Sequence, residues 1–431
     1  MAYALCQNRH NVGVTTMFTM RDKEIAIPVE EALEIVLNTV SPLAWEEVPI
    51  IEAADRVLYE DIVSNTSIPF SDDSAMDGYA IIADDTHGAS RKNPVRLRIV
   101  GEMQAGGPGI GRGVSKGTAI RIMTGALMPE GADSVIKLED TEEEAGCVKI
   151  FREVVRHENR RSAGESITKG ERVLRKGDRL KSADVGILAS LDYGVVKAYR
   201  RPTVSIISTG DEIAEIGEDI QTGQIRNVSA HTLYSEAKKY SALPQYLGIA
   251  KDRLNDTKEV LLRALESDVV ISTGGVSKGK YDLVKKAYAD LGIEILFERV
   301  RLKPGAPCVF GRKGNKLLFG LPGYPVPTLI AFIRFVRPAL LKLMGAQKIR
   351  KPIVNAFLEK DIDSSRIHHL LRGYFTIRDN EFYVTTAGNQ KPSVLRSMSA
   401  ANCLISVPED VVKVRAGERV AIELIYHDEI Q

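Results

Sequence analysis

The stretch from about residue 181 to 345 alternates short apolar runs with amphipathic segments, and this alternation restricts the fold more than any other feature. The runs PTVSIIS, LPQYLGIA and VVIST are short and apolar, whereas DTKEVLLRALESD has helical periodicity. Strands that alternate with helices predict an α/β domain with a mostly parallel sheet. Ligands of such sheets bind at the carboxyl ends of the strands.

The segments on either side have a different pattern and predict further domains. Residues from about 67 to 144 alternate as short strands around loops such as GGPGIGRG, which indicates a β-rich domain. Residues from about 346 to 431 return to short strands such as EFYVTT and predict a C-terminal β-domain. Helical spacing is found over about 28–40. We expect residues 20–66 and 145–180 to form a discontinuous N-terminal domain, 181–345 the α/β domain, and 1–19 a disordered extension.

The charge balance excludes some classes of function. Lys and Arg number 58 and Asp and Glu 57, which leaves a net charge of +1. Without a basic excess, binding to nucleic acid or to a membrane surface is not expected. No apolar run approaches the roughly 20 residues of a spanning helix. The four cysteines are widely spaced and the N-terminus lacks a signal-peptide core, so we expect reduced thiols and a cytoplasmic protein.

Two loops at predicted strand ends are candidates for anion binding. They are STGDE at 208–212 and STGGVS at 272–277. Glycines let the backbone approach a ligand, and hydroxyls with free N–H groups at a helix start bind phosphate-like anions. The alternative is two tight turns whose Ser and Thr residues cap helices. Neither loop has the Walker or the dinucleotide spacing, so a nucleotide and another phosphate ester both remain open.

Three further segments combine charge with stiff backbone. RVRLKPGAP at 299–307 places three cations on one face of a predicted strand, either as an oxyanion site or as a solvated face. LPGYPVP at 321–327 is a rigid loop before a helix expected over about 328–340. DDSAMDGYA at 72–80 has three carboxylates, which suit Mg²⁺ or form a turn network.

Seven motifs in a fixed order carry a resemblance to a known family. They are SAMDGYA (74–80), GEMQAG (101–106), RIMTGALMPEGADSVIKLED (121–140), STGDE (208–212), TGGVS (273–277), KPGAP (303–307) and LPGYP (321–325). Together they resemble the molybdopterin molybdenumtransferase family, called MoeA in bacteria, which includes the E domain of gephyrin. The resemblance extends from about residue 21 to 430.

The resemblance implies a fold and a reaction. Members of the family are elongated homodimers with four domains per chain, and the α/β domain, which is MogA-like, binds molybdopterin. The enzyme takes adenylated molybdopterin and molybdate, cleaves the adenylate with the help of Mg²⁺, and releases AMP and the molybdenum cofactor. The site lies between the α/β domain of one subunit and the β-rich domain of the other. The molybdopterin adenylyltransferase that makes the substrate is an expected partner.

The family's functional residues transfer to matching positions of this sequence. The expected catalytic residues are Asp211, Asp282, Glu165 and Lys303, of which Asp211 and Asp282 are the expected metal ligands. The expected substrate-binding residues are Asp72, Thr124, Asp133, Ser208, Thr209, Gly210, Thr273, Gly274, Gly275, Ser277, Arg301, Pro304, Gly305, Arg366, Arg372 and Ser397.

The sequence departs from the family where molybdate is expected to bind. The substituted positions are Ala306 for a lysine, Tyr324 for an asparagine, Pro327 for a serine, Asn227 and Ser229 for an Asp and an Asn, and Lys280 for an acid. A lost lysine removes a charge-assisted contact of roughly 1.5–3 kcal/mol, for which Lys278 and Lys280 are nearby substitutes. The alternatives to an active enzyme are a non-catalytic molybdopterin-binding protein and a scaffold, and the enzyme itself leaves a tungstate-inserting variant open.

Overall fold

The chain forms two compact units in the computed structural model, which describes residues 26–107, 113–275 and 283–425. The larger unit comprises residues 26–46, 55–57 and 199–425, and the smaller unit comprises residues 47–54 and 58–198. The expected extension at 1–19 lies outside the described residues, as does most of the GGPGIGRG loop. The four-domain division is finer than these two units and stays a prediction.

The described residues have a helix at each of the two segments with predicted helical periodicity, about 28–40 and DTKEVLLRALESD, and further helices elsewhere. In chain order they are α1 (Val29–Thr39), α2 (Ser182–Ser190), α3 (Val228–Lys239), α4 (Leu254–Ala264), α5 (Leu283–Asp290), α6 (Pro325–Ala331), α7 (Arg337–Leu343) and α8 (Arg396–Ser399). A π-helical turn, Phe332–Val336, joins α6 to α7. The helix expected over about 328–340 is therefore interrupted. Pro338 lacks an N–H and its ring crowds the carbonyl four residues earlier, which accounts for a widened turn there.

The strands are mostly short. Those before residue 200 are β1 (Trp45–Pro49), β2 (Ile62–Val63), β3 (Asp73–Ser74), β4 (Gly78–Ile81), β5 (Ser90–Met103), β6 (Thr118–Ile122), β7 (Ser134–Lys137), β8 (Thr141–Glu144), β9 (Cys147–Arg152), β10 (Arg160–Arg161), β11 (Arg172–Leu174) and β12 (Val195–Tyr199). Those after residue 200 are β13 (Thr203–Thr209), β14 (Ile213–Ala214), β15 (Ile225–Arg226), β16 (Leu243–Ala250), β17 (Val269–Thr273), β18 (Glu294–Arg299), β19 (Leu302–Lys303), β20 (Pro307–Lys313), β21 (Lys316–Leu321), β22 (Ile353–Leu358), β23 (Ile362–Asp363), β24 (His368–Arg378), β25 (Glu381–Thr386), β26 (Cys403–Val407), β27 (Lys413–Val414) and β28 (Arg419–Leu424).

An α/β sandwich forms the first part of the larger unit, as the alternation predicts. Its sheet has the order β16-β13-β17-β21-β20-β18, in which the first four strands are parallel and β20 runs antiparallel to both of its neighbours, β21 and β18. Helices α4 and α5 pack on one face around Leu261 and Val284. Helices α1, α3, α6 and α7 cover the other face. Both faces are buried, which explains why β13 and β17 read as continuous apolar runs.

A small closed barrel forms the last part of the larger unit. Strands β24, β25, β22, β28 and β26 pair in that order, and β26 pairs back onto β24. Leu371, Phe375 and Val384 lie in its core. Strand β19 of the α/β part pairs in parallel with the start of β24, so that Lys303 is opposite His369. This pairing places the KPGAP loop against the barrel.

The smaller unit is β-rich, as predicted. Its main sheet has the order β7-β4-β6-β5-β9-β8, and only β5 and β6 are parallel neighbours among the described strands. Two-stranded pairings, β3 with β10 and β2 with β11, join the ends of the unit's sequence. The sheet is packed on both faces, around Tyr79 and Val148 on one side and Ile120 and Val135 on the other.

One expectation about backbone geometry is wrong. Arg299, Arg301 and Lys303 were expected to share one face of a single strand, but β18 ends at Arg299 and β19 begins at Leu302. The N–H of Leu302 donates to the carbonyl of Val300 at 2.8 Å, which closes a tight turn between the two strands. The three cations therefore do not alternate along one strand, because the chain bends there to meet β24.

Candidate functional site

The carboxyl edge of the parallel strands brings the two predicted loops together. Strands β13 and β17 are neighbours, so the loops that follow Thr209 and Thr273 lie side by side. Gly274 has φ of +87°, and a Cβ there would lie 2.6 Å from the Thr209 carbonyl oxygen. No other residue fits at this position without moving backbone, so the glycine is required by the close approach of the two loops.

The hydroxyl groups of these loops bond to neighbouring groups of the chain. Ser208 Oγ donates to Asn227 Oδ1 at 2.9 Å, and Thr209 Oγ1 donates to the Thr273 carbonyl at 3.1 Å. Thr273 Oγ1 donates to Ser208 Oγ at 3.4 Å, and all three residues are buried. The geometry favours a structural role for these hydroxyls.

A hydrogen-bonded cluster supports the first loop, and the sequence alone did not point to it. Asn227 accepts the N–H of Ala230 at the start of α3 and donates to Glu215 Oε1 at 3.0 Å and to Tyr246 Oη at 2.6 Å. Tyr246 also donates to Glu215. Burial by itself raises the pKa of Glu215, but these hydrogen bonds outweigh it and the pKa is lowered. The sequence has no local signal for these contacts, because the three residues come from separate segments.

Asp211 is the described member of the predicted metal pair. Its side chain is exposed directly after β13, and Oδ1 accepts the N–H of Asp252 at 3.4 Å. Asp282 and Ser277 lie outside the described residues. Among the residues that the structure does describe, no group of three His, Cys, Asp or Glu side chains could hold a metal alone. One carboxylate at a strand end nevertheless fits Mg²⁺, which binds through one or two carboxylates and takes its other ligands from water and phosphate.

Lys303 lies at the junction of the sandwich and the barrel. Burial lowers the pKa of its ammonium group. Pro304 and Gly305 follow, and Gly305 has φ of +129°, in the region that favours glycine. His369, its partner in the strand pairing, is 6% exposed. Burial and the charges of Lys303 and Arg372 lower the pKa of His369 to about 3, so the imidazole is neutral near pH 7.

Arg372 is the second cation of this region, and it is buried and bonded to Ser397. Its Nε donates to Ser397 Oγ at 3.1 Å, and its Nη2 donates to the carbonyls of Asn389 and Lys391, both at 3.3 Å. Burial lowers the pKa of Arg372 to about 10. Within residues 26–107, 113–275 and 283–425, neither Lys303 nor Arg372 forms an ion pair with a carboxylate. We call Lys303, Gly305, His369, Arg372 and Ser397 the cationic pocket.

Two other predicted cations have different surroundings. Arg301 forms an ion pair with Glu409, with Nε 2.9 Å from Oε2, and also donates to the Ala26 carbonyl at 3.3 Å. Its charge is already matched inside the chain. Arg366 is exposed and lies two residues before the start of β24, the strand that contains Arg372.

The predicted acids of the smaller unit accept hydrogen bonds from peptide N–H groups, which are distant in sequence for Asp72 and Asp133 and local for Glu165. Asp72 accepts the N–H of Ala163 at 2.8 Å and pairs with Arg160, and together these contacts lower its pKa despite the opposing effect of burial. Asp133 accepts the N–H of Ala83 at 2.8 Å, and Glu165 that of Ser162 at 3.0 Å.

The carboxylate cluster of DDSAMDGYA forms a turn network. Asp73 pairs with Arg161 at 2.6 Å, next to the Asp72–Arg160 pair. Asp77 Oδ1 accepts both the N–H and the hydroxyl of Thr124, at 2.7 and 2.8 Å. The three carboxylates are thus held by separate partners, which favours the turn network over a shared Mg²⁺ site and makes Thr124 part of it.

The departures from the family pattern that the structure describes lie near the cationic pocket and near the LPGYP loop. Ala306 is 9% exposed, while Tyr324 is 60% exposed just before α6. Pro327 is buried in the first turn of α6. Ser229 Oγ donates to the Gly323 carbonyl at 3.0 Å and so ties α3 to the LPGYP loop. Lys280, a further departure, lies outside the described residues.

Three family models match the chain in order. The MoeA N-terminal region (domain I and II) matches residues 27–191, a probable molybdopterin binding domain matches 205–342, and the MoeA C-terminal region (domain IV) matches 355–425. No helix within the described part of the chain is long and apolar enough to cross a bilayer.

Curated relatives and solved structures agree with these matches. The molybdopterin molybdenumtransferase of Staphylococcus epidermidis is 33% identical over 405 residues, which cover 94% of this chain and 96% of that protein. The Bacillus subtilis protein of the same name is 33% identical over 412 residues, with coverage of 94% and 96%. The crystal structure of the molybdopterin biosynthesis MoeA protein from Pyrococcus horikoshii OT3 superimposes with a TM-score of 0.79 at 33% identity, covering 93% of this chain and 100% of that one.

Proposed function

The chain belongs to the molybdopterin molybdenumtransferase family, a family of transferases in molybdenum cofactor biosynthesis, and we propose that it inserts molybdate-derived molybdenum into adenylated molybdopterin, releasing AMP. The observation that carries this proposal is the proximity of the half-buried Lys303 and the buried Arg372 to His369. Buried charges in proteins are normally paired, so two desolvated cations without a carboxylate partner among the described residues indicate an anionic ligand. Molybdate is a tetrahedral dianion that such a pair suits.

The cationic pocket has the donors that a tetrahedral oxyanion needs. Lys303 provides an ammonium group and Arg372 a planar guanidinium group, and hydrogen bonds from charged donors to oxyanions are shorter and stronger than neutral ones. Ser397 keeps Arg372 in place through the bond to Nε. Gly305 and Pro304 form the edge of the pocket, and we assign Arg301 and Arg366 only to its surroundings.

Cleavage of the adenylate is assigned to the carboxyl edge of the sheet. Gly210, Gly274 and Gly275 let the backbone approach the substrate phosphates, and Asp211 is oriented by the N–H of Asp252. We propose that Asp211 and Asp282 hold Mg²⁺, which when bound neutralises charge on the departing phosphate. In this proposal the loop glycines and Asp211 orient the phosphoanhydride for cleavage.

The remaining parts of the proposal concern assembly. We propose a homodimer in which the smaller unit of the second subunit contributes Asp72, Thr124, Asp133 and Glu165 to the site. The carboxylates of Asp72, Asp133 and Glu165 each accept a peptide N–H of the same unit, which holds them in position for a substrate. The adenylyltransferase that makes the substrate is the proposed partner, and the cytoplasm the proposed location.

Incubation of the purified chain with adenylated molybdopterin, Mg²⁺ and molybdate tests the proposal. We expect AMP and active molybdenum cofactor in equal amounts, each measured over time. Tight pterin binding with neither product would instead identify a non-catalytic binding protein. A parallel series with tungstate shows which oxyanion is used. Asp282→Ala is expected to stop AMP release while the dimer, measured by light scattering, stays intact.

A further inference from the structure

A second cationic cavity lies in the larger unit, separate from the cationic pocket. It has a volume of about 130 Å³ and lies between α1, the π-helical turn, α7 and the barrel. It shares no residue with the cationic pocket. The charged residues that line it are Glu30, Arg334, Arg337, Arg350, Lys351 and Glu423. We call it the α1–α7 cleft.

The charges in the α1–α7 cleft do not balance. Four cationic side chains face two carboxylates along the described lining. Arg334 is 2.6 Å from Glu423, and Arg350 is 3.5 Å from Glu30, so these two pairs use both acids. The ammonium group of Lys351 donates to the neutral carbonyls of Leu424 and Ile425 at 3.0 and 2.8 Å, and it forms no ion pair with a carboxylate among the described residues.

The surrounding groups add to the positive potential. Burial and the charges of Arg337 and Lys239 lower the pKa of Lys351 to about 8, even though Glu236 and Glu423 are close. Burial raises the pKa of both acids. His368, also in the lining, is neutral near pH 7, because burial and Arg334 lower its pKa to about 4. An anion in the cleft would therefore be stabilised by several cations at once.

The rest of the lining is apolar. Leu33 and Leu37 of α1 face Ile333 and Pro338 across the cleft, and Ile353 of β22 closes one side. A bare inorganic ion would leave this apolar surface in contact with water. We propose that the α1–α7 cleft binds a small organic anion, with a phosphate or carboxylate head group beside Arg350 and Lys351 and a short apolar stem against α1.

Calorimetric titration of the full chain with n-butyl phosphate tests the proposal. We expect saturable binding that is tighter than that of inorganic phosphate, which lacks the stem, and no binding of n-butylammonium, which has the stem but the opposite charge. Molybdate and adenylated molybdopterin at saturation should leave the affinity unchanged. Displacement by either would place the ligand in the cationic pocket and overturn the proposal, independently of whether the proposed reaction occurs.

The variant Arg350→Gln removes one cation from the cleft without disturbing a buried group, since its side chain is 69% exposed. We expect the dissociation constant of n-butyl phosphate to rise at least about fivefold, as for the loss of one partly screened charged hydrogen bond. The matched control is Arg312→Gln, which removes an exposed partner of Glu294 elsewhere in the larger unit and should change nothing.

Competitive acetylation of lysines, read by mass spectrometry near pH 8, locates the ligand. An anion beside Lys351 favours its protonated form and covers it, so n-butyl phosphate should protect Lys351 and leave Lys313 unaffected. Unchanged acetylation of Lys351, absence of saturable binding, or equal weakening by Arg350→Gln and Arg312→Gln would each overturn the proposal.

Discussion

The cationic pocket of the larger unit and the Asp72 turn of the smaller unit satisfy their charges in different ways. Asp72 is partly exposed and has both a peptide N–H and the guanidinium of Arg160 as partners. Lys303 and Arg372 are more deeply buried, and Arg372 is held by a hydroxyl and two carbonyls. The carboxylate is neutralised within its own unit, whereas the described surroundings of the two cations do not neutralise them.

This difference distinguishes charges that are paired within the fold from charges that are expected to bind a ligand. A pair such as Asp72 with Arg160 contributes to the stability of a turn at little cost, because both groups keep some water. A buried cation with neutral partners carries an uncompensated desolvation penalty, and an anion removes it. By the same criterion Arg301 has a structural role, because its charge pairs with that of Glu409.

The largest expected effect is that of Lys303→Met. Loss of the ammonium group should lower cofactor formation on the order of 100-fold, the usual result of removing one group that stabilises charge in an active site. Stability should not fall. Burial lowers the pKa of Lys303, so its charged form costs stability below the lowered pKa, and that cost disappears as the pH rises through 10.5. Chemical denaturation at pH 7 is expected to give an equal or higher midpoint.

Lys258→Met is the matched control, since Lys258 pairs with Asp290 at 2.8 Å on the opposite face of the sheet. It should keep full activity. If Lys303→Met formed cofactor at the normal rate, or if both variants lost activity equally, the distinction between unmatched and matched cations would fail.

Ser208→Ala probes hydroxyls that bond inside the chain. The variant leaves Asn227 Oδ1 and the Thr273 hydroxyl each without one partner, which should cost about 1–2 kcal/mol in the free energy of unfolding. The KM for adenylated molybdopterin should not change, because the hydroxyl does not face the substrate. A raised KM with unchanged stability would show that the Ser208 hydroxyl contributes to substrate binding.

Ala306→Lys restores the cation that the family has beside the cationic pocket. We expect the molybdate concentration at half-maximal cofactor formation to fall several-fold, on the order of 1 kcal/mol, because a third charged donor would strengthen binding of a dianion. Ala306→Met is the control for bulk at this nearly buried position. An equal effect of both substitutions would show that shape and not charge limits molybdate binding.

Much of the fold could be predicted from local sequence, whereas the hydrogen-bond and ion-pair partners of the polar groups could not. The period of apolar residues gives β13, α4 and β17, because burial of one or two faces determines which positions are apolar. The cluster of Glu215, Asn227 and Tyr246 has no local signal, because its members come from separate elements. Likewise, the pairing of Arg301 with Glu409 spans more than 100 residues, and no spacing rule reaches that far.

The smallest expected effect is that of Asp72→Asn, which retains an acceptor for the N–H of Ala163 but loses the charge that pairs with Arg160. The pKa of Asp72 is lowered, so the pair contributes stability above pH 3.8, and the contribution is lost as the pH falls through the lowered pKa. For a partly exposed pair we expect a loss of roughly 1 kcal/mol or less at pH 7, measured by denaturation, and none in strong acid.

Asp85→Asn is the matched control for this variant, since Asp85 also accepts a peptide N–H, that of Gly117 at 2.8 Å. Its effect on stability at pH 7 should be smaller, because this substitution removes no ion pair among the described residues. The comparison is sharpest when AMP release is measured on the same samples. If Asp72→Asn lowered AMP release far more than it lowered stability, the Asp72 carboxylate would belong with Lys303 among the charges that act on a ligand, in spite of its partner Arg160.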